Sequence, residues 1–307
     1  MNFTQKGFSL LETLIGVAVF LIVATSIYQG FLTVSRAVEY SRNKLNATAL
    51  ATEIIEITRN LSYEDVGIVG GIPDGKIPRD RVVSRDGREF EIETTVRNID
   101  DSFDGLFPSD SSPADYKLVE IEISCPDCRN FEPLTFNTNI GSGGLETSTG
   151  NGALFVRVFD AVGQPVQDAK VYVENSKATS TIVIEDTTDA DGFLKIVDAP
   201  PGFEAYEISI AKEGYSSEQT YSDDLITPNP TRPHSTVEVQ QLTQISFAID
   251  EVSRMKVSSL NEVCASIPNL EFDIYGSKII STGPDVLKFN ETKNTGSSGS
   301  IDIADLE

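Results

Sequence analysis

The sequence contains one closely spaced pair of cysteines, in the motif Cys125-Pro126-Asp127-Cys128 at the end of an alternating apolar run. Two thiols at this spacing can form a disulfide, bind a metal or exchange disulfides. A thioredoxin-like site needs a βαβ context, and a zinc site needs a second pair, whereas only Cys264 remains. A local disulfide is therefore favoured, with free thiols or a metal or redox role as the alternatives. Cys264 is expected to be a small buried residue or to pair beyond the chain.

Two acidic groups could bind calcium, because this cation takes oxygen ligands. The first, around Asp186 to Gly192, lacks the acid at Thr187 and the glutamate at Asp198 that an EF-hand requires. We expect a β-turn there and a solvated acidic loop at the second group, so no metal site is predicted. The aspartates concerned are Asp186, Asp189 and Asp191 in the first group and Asp100, Asp101, Asp104, Asp110 and Asp115 in the second.

The overall composition disfavours catalysis and nucleic-acid binding. The chain has 307 residues, a formal net charge of −23, no Trp and a single histidine, His234, in a proline-rich turn. An acidic surface repels nucleic acid. No nucleophile motif, phosphate loop or paired carboxylates stand out, so we predict a non-enzymatic protein without catalytic residues or cofactors. The length is sufficient for two or three small domains.

One carboxylate lies in the most apolar part of the chain. Residues Phe8–Leu32 include a single charged side chain, Glu12, over 25 residues, and about 20 apolar residues suffice for a membrane-spanning helix. A carboxylate at the centre of such a helix costs about 2.5–3.5 kcal/mol, and less near its end. Glu12 is therefore expected to have a functional partner. The alternative is that Glu12 lies near the membrane surface and has no role in assembly.

The helix that positions Glu12 is expected to extend well beyond the membrane. No proline occurs before Pro73, and apolar residues recur after Arg36 at spacings of 3, 4, 3 and 4 residues. Such spacing places these residues on one face of a helix. We predict one helix from about Phe8 to about Asn60, membrane-embedded first and amphipathic later. The predicted apolar face consists of Ala47, Leu50, Ile54, Ile57 and Leu61.

The run Lys6-Gly7-Phe8-Ser9-Leu10-Leu11-Glu12 resembles the prepilin signature of type IV pilins and of the pseudopilins of type II secretion and competence systems. The resemblance covers about 30 residues, including the apolar block. It implies that a prepilin peptidase cuts between Gly7 and Phe8 and methylates the new N-terminus. Glu12 would then pair with the N-terminal ammonium of Phe8 on a neighbouring subunit.

A small antiparallel sheet is predicted after the helix. A Gly/Pro-rich loop precedes a hairpin centred on Asp86-Gly87, a strong turn signal between alternating runs. Further strands are predicted at Tyr116–Cys125 and Leu134–Ile140. A sheet covering the amphipathic half of the helix is the architecture of the pilin globular domain, which the resemblance also implies.

A second β-rich unit is predicted after a Gly/Ser/Thr-rich linker at Gly141–Gly152. Short strands separated by turns favour a β-sandwich. The predicted strands are Ala153–Asp160, Ala169–Glu174, Thr181–Ile184, Phe193–Val197, Tyr206–Ala211 and Thr236–Ile249.

This unit resembles the carboxypeptidase regulatory-like family of transthyretin-like sandwiches over residues 150–250. The residues that carry the resemblance are Val162, Gly163, Pro165, Val166, Ala169, Val171, Thr188, Asp189, Asp191, Gly192, Phe193, Pro201, Gly202, Tyr206, Lys212, Gly214 and Tyr215. It implies a transthyretin-like β-sandwich. In the alternative of a membrane-anchored binding protein that does not polymerise, such sandwiches would recognise a carbohydrate or a protein.

The last residues repeat some of these patterns. Leu270–Tyr275 is similar to Leu154–Phe159, and Gly296–Leu306 is similar to Asp189–Ala199. A second sandwich is therefore predicted from about Ala265. It is incomplete at residue 307, which favours a chain fragment over a small unit that borrows a strand.

Together these patterns predict an α+β protein with a pilin fold followed by transthyretin- or immunoglobulin-like sandwiches. The predicted function is a structural subunit of a type IV pilus, a minor or adhesive pilin, in the inner membrane with a cytoplasmic N-terminus and then in an extracellular filament. Its partners would be the prepilin peptidase, other pilins through their N-terminal helices, and a surface ligand. The alternatives are a pseudopilin of a type II secretion or DNA-uptake system and a membrane-anchored binding protein that does not polymerise. The predicted segments are 1–7 (leader), 8–60 (helix, 8–32 in the membrane), 61–140 (pilin β-domain), 141–152 (linker), 153–250 (sandwich) and 265–307 (second sandwich).

Overall fold

The computed structural model describes residues 10–102, 105, 107, 109, 114–142 and 150–306, apart from the side chains of Glu12 and Asp305. Predictions that concern the leader, Gly7, Phe8, Asp104, Asp110 or the middle of the linker lie outside these residues. The fold is α+β, as predicted: one long helix is followed by many β-strands, most of them paired antiparallel.

The described elements are one α-helix, a short 3-10 turn at Tyr63–Asp65 and a succession of strands. The helix α1 spans Leu10–Arg59. The strands are β1 (Asp80–Arg85), β2 (Arg88–Ile99), β3 (Tyr116–Ser124), β4 (Leu134–Gly141), β5 (Gly152–Phe159), β6 (Lys170–Asn175), β7 (Ile182–Thr187), β8 (Phe193–Ala199), β9 (Gly202–Ala211), β10 (Glu218–Gln219), β11 (Ser235–Val237), β12 (Leu242–Ala248), β13 (Ser253–Ser258), β14 (Glu271–Tyr275), β15 (Ile279–Ser281), β16 (Val286–Leu287), β17 (Asn290–Asn294) and β18 (Ser300–Leu306).

The helix α1 is continuous, as its sequence predicted, but its buried face is not quite the predicted one. Ile57 is 51% exposed, whereas Thr58 is 1% exposed. At about 100° per residue, Thr58 lies only about 20° from Ala47 around the helix, and Ile57 lies about 80° away. The prediction that Ile57 lies on the buried face is therefore wrong, because it followed the apolar character of the side chain and not its angle around the helix. The buried helix residues are Asn43, Ala47, Leu50, Ala51, Ile54 and Thr58.

Strands β1 to β4 form one sheet in the order β1-β2-β3-β4. The predicted hairpin is present, with Arg85 paired to Arg88 across the turn. Asp86 and Gly87 have φ values of 53° and 73°, the left-handed conformations that a two-residue hairpin turn requires. Along β2, Phe90 and every second residue up to Asn98 are buried, which is the alternation expected of a strand with one covered face.

The chain forms two compact units. The first contains helix α1 as far as Ile57 together with Asp80–Glu93 and Ile121–Phe136. The second contains Thr58–Arg79, Thr94–Glu120 and the chain from Asn137 onwards. The main core of the second unit is built from two sheets, of which one contains β10-β9-β6-β7 with β11 beside β9, and the other contains β12-β5-β8. Both sheets contribute side chains to one buried cluster around Tyr206 and Phe247.

The segment Thr236–Ile249, predicted as one strand, is divided between these sheets. Strand β11 pairs with β9, and β12 pairs parallel with β5. The chain turns between them at Gln240, whose φ is 53°. The prediction of a single strand was wrong because the four residues Glu238–Gln241, three of them polar, are long enough for the chain to cross from one sheet to the other.

The strands from β13 onwards form three pairs among the described residues: β13 with β18, β14 with β17, and β15 with β16. All three pairs are antiparallel. Few side chains are buried here, in contrast to the main core. The buried ones are Ser259, Ser281, Thr295 and Ile303.

Candidate functional site: an uncovered apolar helix

The first part of α1 presents a large apolar surface that the described protein does not cover. Leu10 is 84% exposed, Phe20 is 68% exposed and Phe31 is 67% exposed. No residue of the most apolar 18-residue segment of the helix is buried. By its length and composition this helix could cross a membrane. An apolar surface of this size on a water-exposed protein marks a site of membrane or protein contact.

Glu12 belongs to this helix, since its backbone is within α1. The proposed processing site at Gly7 and Phe8 lies outside the described residues, and so does the Glu12 side chain. The pairing of Glu12 with a neighbouring N-terminus therefore stays a prediction.

Where α1 becomes polar, it contacts the β1–β2 hairpin through charged side chains. The Asp86 carboxylate accepts hydrogen bonds from Asn46 at 3.0 Å and from Arg42 at 3.2 Å. These two bonds, the Asn46 bond most of all, lower the pKa of the Asp86 carboxyl. Arg85 lies 2.9 Å from Glu53, and Arg88 forms an ion pair with Glu39.

These ion pairs begin at Glu39, just after the exposed apolar segment. They attach the hairpin to the part of the helix that follows the apolar segment. If the apolar segment lies in a membrane, the helix residues that follow it would contact the hairpin instead of lipid.

The two cysteines of the CxxC motif are bonded to each other, with their Cα atoms 5.3 Å apart, within the usual range for a disulfide. The Cys128 N–H donates to the Cys125 carbonyl at 3.0 Å, and each residue is 5% exposed. Nearby, the rings of Phe90 and Phe131 pack edge to face with centroids 6.3 Å apart. Cys264 is unpaired and exposed, so the expectation that it is buried was wrong.

Asp189 and Asp186, two of the acidic residues considered for calcium, have protein partners. Asp189 closes the turn before β8, accepting the N–H groups of Asp191 at 2.9 Å and Phe193 at 2.8 Å. Asp186 accepts two hydrogen bonds from Arg97. Among the described residues, no group of three or more His, Cys, Asp or Glu side chains is arranged to hold a metal ion.

The acidic loop and the histidine are also engaged in local contacts. The Asp100 carboxylate accepts the N–H of Phe107 at 2.9 Å. The Asp115 carboxylate accepts the N–H of Asp101 at 2.5 Å. The sole histidine, His234, lies with Nδ1 2.9 Å from the hydroxyl of Thr220.

Sequence reasoning missed a buried lysine. Lys117 is 6% exposed and donates to the carbonyls of Tyr63 and Val66 at 2.8 and 2.6 Å. Burial lowers the pKa of its ammonium, although nearby carboxylates, chiefly Asp198, oppose the shift. A signal was present in the sequence, since Lys117 occupies the inward register of β3 together with Val119.

A second missed feature is a buried carboxylate among three cations. The Glu218 side chain is 4% exposed and lies 3.0 Å from Lys288 and 3.5 Å from Arg232. It also forms an ion pair with Lys278. No sequence signal connects Glu218 with the two lysines, because these contacts join segments 60 and 70 residues apart.

Comparison with known protein families gives one match. Residues 2–28 match the family model described as the prokaryotic N-terminal methylation motif. The chain therefore has a pilin-like N-terminus of the kind that a prepilin peptidase processes. No curated protein sequence matches the chain.

Several solved structures have limited similarity to the chain. The Bacillus anthracis TIE protein is 14% identical, with 74% of this chain and 36% of that chain covered and a TM-score of 0.25. A streptococcal ancillary pilin is 12% identical, with 62% and 63% covered and a TM-score of 0.25. A hydroxyquinol 1,2-dioxygenase from Pseudomonas putida DLL-E4 is 14% identical, with 34% and 58% covered and a TM-score of 0.23.

The chain thus spans less than two thirds of the length of each of these structures. At such low TM-scores these similarities carry no argument about fold or activity.

Proposed function

We propose that this chain is a structural subunit of a type IV pilus, processed after Gly7 and assembled through its N-terminal helix. The observation that carries the proposal is the methylation-motif match at residues 2–28, which runs directly into an apolar helix that the described protein leaves uncovered. Before assembly this helix would lie in the inner membrane, with the leader in the cytoplasm. Afterwards the same surface would contact the helices of other subunits.

Glu12 and Phe8 have complementary roles in this proposal. Cleavage creates an ammonium at Phe8 that did not exist in the precursor. A carboxylate in an apolar environment is stabilised by an opposite charge, because both groups otherwise lose hydration without compensation. Pairing Glu12 with the Phe8 ammonium of a neighbour would therefore favour an assembled, mature subunit.

The β-rich part supports a minor or adhesive subunit rather than a shaft subunit. In this proposal β1–β4 and α1 form a pilin domain, in which the hairpin contacts at Asp86 and Arg85 hold sheet and helix together. Residues 153–250 form a transthyretin-like sandwich that projects outwards and offers loops to a surface ligand. A second such unit follows. Additional projecting domains are easier to accommodate at a tip than in a closely repeated shaft.

The disulfide between Cys125 and Cys128 also supports a location outside the cell. Disulfides persist in oxidising surroundings such as the cell exterior, and the two thiols are already bonded and buried.

The test is incorporation of the chain into filaments sheared from cells. Glu12→Gln keeps the size of the side chain and removes its charge, so we expect a large loss of incorporation with unchanged membrane levels. Glu56→Gln, on an exposed position of the same helix, is the matched control and should assemble normally. Equal incorporation of Glu12→Gln and wild type would contradict the pairing role.

The same experiment separates the alternatives. A pseudopilin would be processed but would be absent from surface filaments and needed for secretion or DNA uptake. A membrane-anchored binding protein that does not polymerise would remain with the membrane fraction whatever residue occupies position 12.

A further inference from the structure

The outward face of the sheet β12-β5-β8 carries cations and no carboxylate. Leu154, Val156 and Ile196 of this sheet lie in the buried cluster, so the residues between them point away from it. At these outward positions the only charged side chains are Arg157 and Lys195, in a chain with 47 acidic residues and 24 lysines and arginines. We call this surface the cationic face. Its residues are Ala153, Phe155, Arg157 and Phe159 of β5, Phe193, Lys195 and Val197 of β8, and Leu242, Gln244, Ser246 and Ala248 of β12.

The two cations of this face contact aromatic rings instead of carboxylates. Arg157 lies opposite Phe193 across β5 and β8, with its Cζ 5.5 Å from the ring centroid. Lys195 lies opposite Phe155, with its Nζ 5.9 Å from the ring centroid. Such contacts stabilise a cation without neutralising it. Neither cation forms an ion pair among the described residues, and the buried Nε of Arg157 has no hydrogen-bond partner there. Both charges are therefore available to an anionic partner.

Part of the cationic face is already covered by the protein. Phe107 belongs to a small buried cluster with Ala153, and Phe155 packs against this cluster. Lys195, in contrast, is exposed, and Arg157 is partly exposed. An outside partner can therefore reach both cations.

The outward face of the other sheet carries the opposite charge. Strands β6, β7 and β9 alternate between core and outward positions. The outward residues Glu174, Glu185 and Glu207 form what we call the acidic face. Lys170 shares this surface, and Arg79 donates to the backbone carbonyl of Glu185 at 2.8 Å. Among the described residues none of the three carboxylates forms an ion pair, so this surface stays negative.

The carboxylates of the acidic face lie close to one another. Glu174 is directly opposite Glu207 across β6 and β9, and like charges placed in this way repel each other. Tyr172 donates to Glu174 at 2.7 Å. This bond most of all, followed by burial and the negative charges of Glu174, Glu185 and Glu207, raises the pKa of Tyr172 to about 12. A cationic partner would relieve the repulsion.

The charges have the same arrangement on the two faces. On β5 and β8 the two cations occupy one diagonal of a square of four residues, and two phenylalanines occupy the other. On β6 and β7, Glu174 and Glu185 occupy one diagonal, with Tyr172 and Val183 on the other. Diagonal neighbours on antiparallel strands are about 7–8 Å apart. Two cations of one face can therefore meet two carboxylates of the other, while the remaining corners pack together.

We infer that the cationic face around Arg157 and Lys195 docks on the acidic face of a second copy of this chain. Because the two faces lie on different sheets, the contact joins unlike surfaces, and each copy keeps one face free for a further copy. The inference goes beyond the proposed pilus subunit. It requires only that two copies lie side by side, and all the docking residues lie outside α1.

The test measures association between full chains that are held one per lipid nanodisc, which keeps their apolar helices apart. Donor and acceptor dyes are attached to separate samples at the exposed thiol of Cys264. We expect energy transfer between wild-type chains at low ionic strength. It should decrease as salt is added, because exposed charges are screened.

Charge-reversal variants damage one face at a time. Arg157→Glu leaves only the acidic face intact, and Glu174→Lys leaves only the cationic face intact. Each variant alone should associate at least about tenfold more weakly than wild type, because like charges would meet. A mixture of the two contains one intact pair of faces and should recover energy transfer. Arg254→Glu, at an exposed position outside both faces, is the matched control and should associate like wild type.

Cross-linking provides a second readout that needs no variant. Carbodiimide treatment of mixed isotope-labelled and unlabelled wild-type chains should join Lys195 of one chain to Glu174, Glu185 or Glu207 of another. Mass spectrometry identifies the joined peptides. Coupling of Lys195 only to carboxylates outside the acidic face would overturn the inference.

Three further outcomes would overturn it. They are no energy transfer between wild-type chains, undiminished transfer between copies of folded Arg157→Glu, and a mixture of the two variants that stays apart. Wild-type chains that stay apart but bind alginate, a carboxylated polysaccharide, through Arg157 would show that the cationic face takes another anionic partner. None of these outcomes bears on the pilus proposal, because that proposal is tested at Glu12 and the nanodiscs exclude contacts between helices.

Discussion

Arg97 on β2 and Asp186 on β7 form an ion pair in which both oxygens of the carboxylate accept hydrogen bonds from one guanidinium. The Nε–Oδ2 distance is 2.6 Å, and the Asp186 side chain is only 4% exposed. A bidentate pair of this type fixes the relative orientation of its two strands. It joins segments 89 residues apart, on either side of the Gly/Ser/Thr-rich stretch predicted to be a linker.

Replacing Arg97 should therefore destabilise the second unit strongly. In Arg97→Ala the buried Asp186 carboxylate would lose its counter-ion, at a cost of about 3 kcal/mol. The measurement is thermal unfolding of the full chain in detergent, followed by the β-sheet circular dichroism signal. The double variant Arg97→Ala/Asp186→Ala removes both charges and should recover part of the loss. A double variant less stable than Arg97→Ala alone would contradict this explanation.

Lys117→Met tests the buried lysine. The carbonyls of Tyr63 and Val66 would lose a charged donor, so we expect a loss of about 2 kcal/mol in the free energy of unfolding. Because burial lowers the folded-state pKa of Lys117, the unfolded chain binds more protons just below the ordinary lysine pKa. Wild-type stability should therefore rise with pH in that window, and this contribution should be missing in the variant. If wild type and Lys117→Met show the same pH dependence of stability, the explanation by the buried Lys117 ammonium is wrong.

Tyr206→Phe tests the alkaline limit of the main core. Tyr206 is 0% exposed and its hydroxyl donates to the Pro200 carbonyl at 2.6 Å. Burial raises its pKa from 10.0 to about 12. Because the pKa of Tyr206 is higher in the folded than in the unfolded state, its contribution to the free energy of unfolding is complete below pH 10. This contribution, about 2–3 kcal/mol, is lost as the pH rises to about 12.

We accordingly expect Tyr206→Phe to be about 1 kcal/mol less stable than wild type at neutral pH and to fall less steeply above pH 10. Urea unfolding across this range is the measurement. The matched control is Tyr275→Phe, since the Tyr275 side chain is 69% exposed and the loss of its hydroxyl should change the free energy of unfolding little. Parallel curves for wild type and Tyr206→Phe would contradict the assignment.

The local elements of this protein were predictable from its sequence, and the reason is periodicity. The helix α1 and the β1–β2 hairpin follow from the apolar spacing and from Asp86-Gly87, which are signals contained within a few residues. The buried face of the helix was harder to predict, because Ile57 and Thr58 are adjacent and only their angle around the helix distinguishes the exposed residue from the buried one.

What the sequence did not provide is the pairing of distant segments. Nothing local indicates that Glu218 meets Lys288, or that β12 returns to pair parallel with β5. The repeat was visible only in part, because residues of different types have the same role: the side chains of Asp160 and Asn261 each accept the backbone N–H two residues later, and Gly163 and Cys264 both have a left-handed backbone.

The central claim is that the mature subunit begins at Phe8. Mass spectrometry of the chain purified from membranes of cells with an active prepilin peptidase tests it directly, with peptidase-deficient cells as the control. We predict an N-terminal peptide that starts at Phe8 and carries one added methyl group, and a peptide that starts before Gly7 in the control. A mature chain that retains Met1 in both cells would contradict the account.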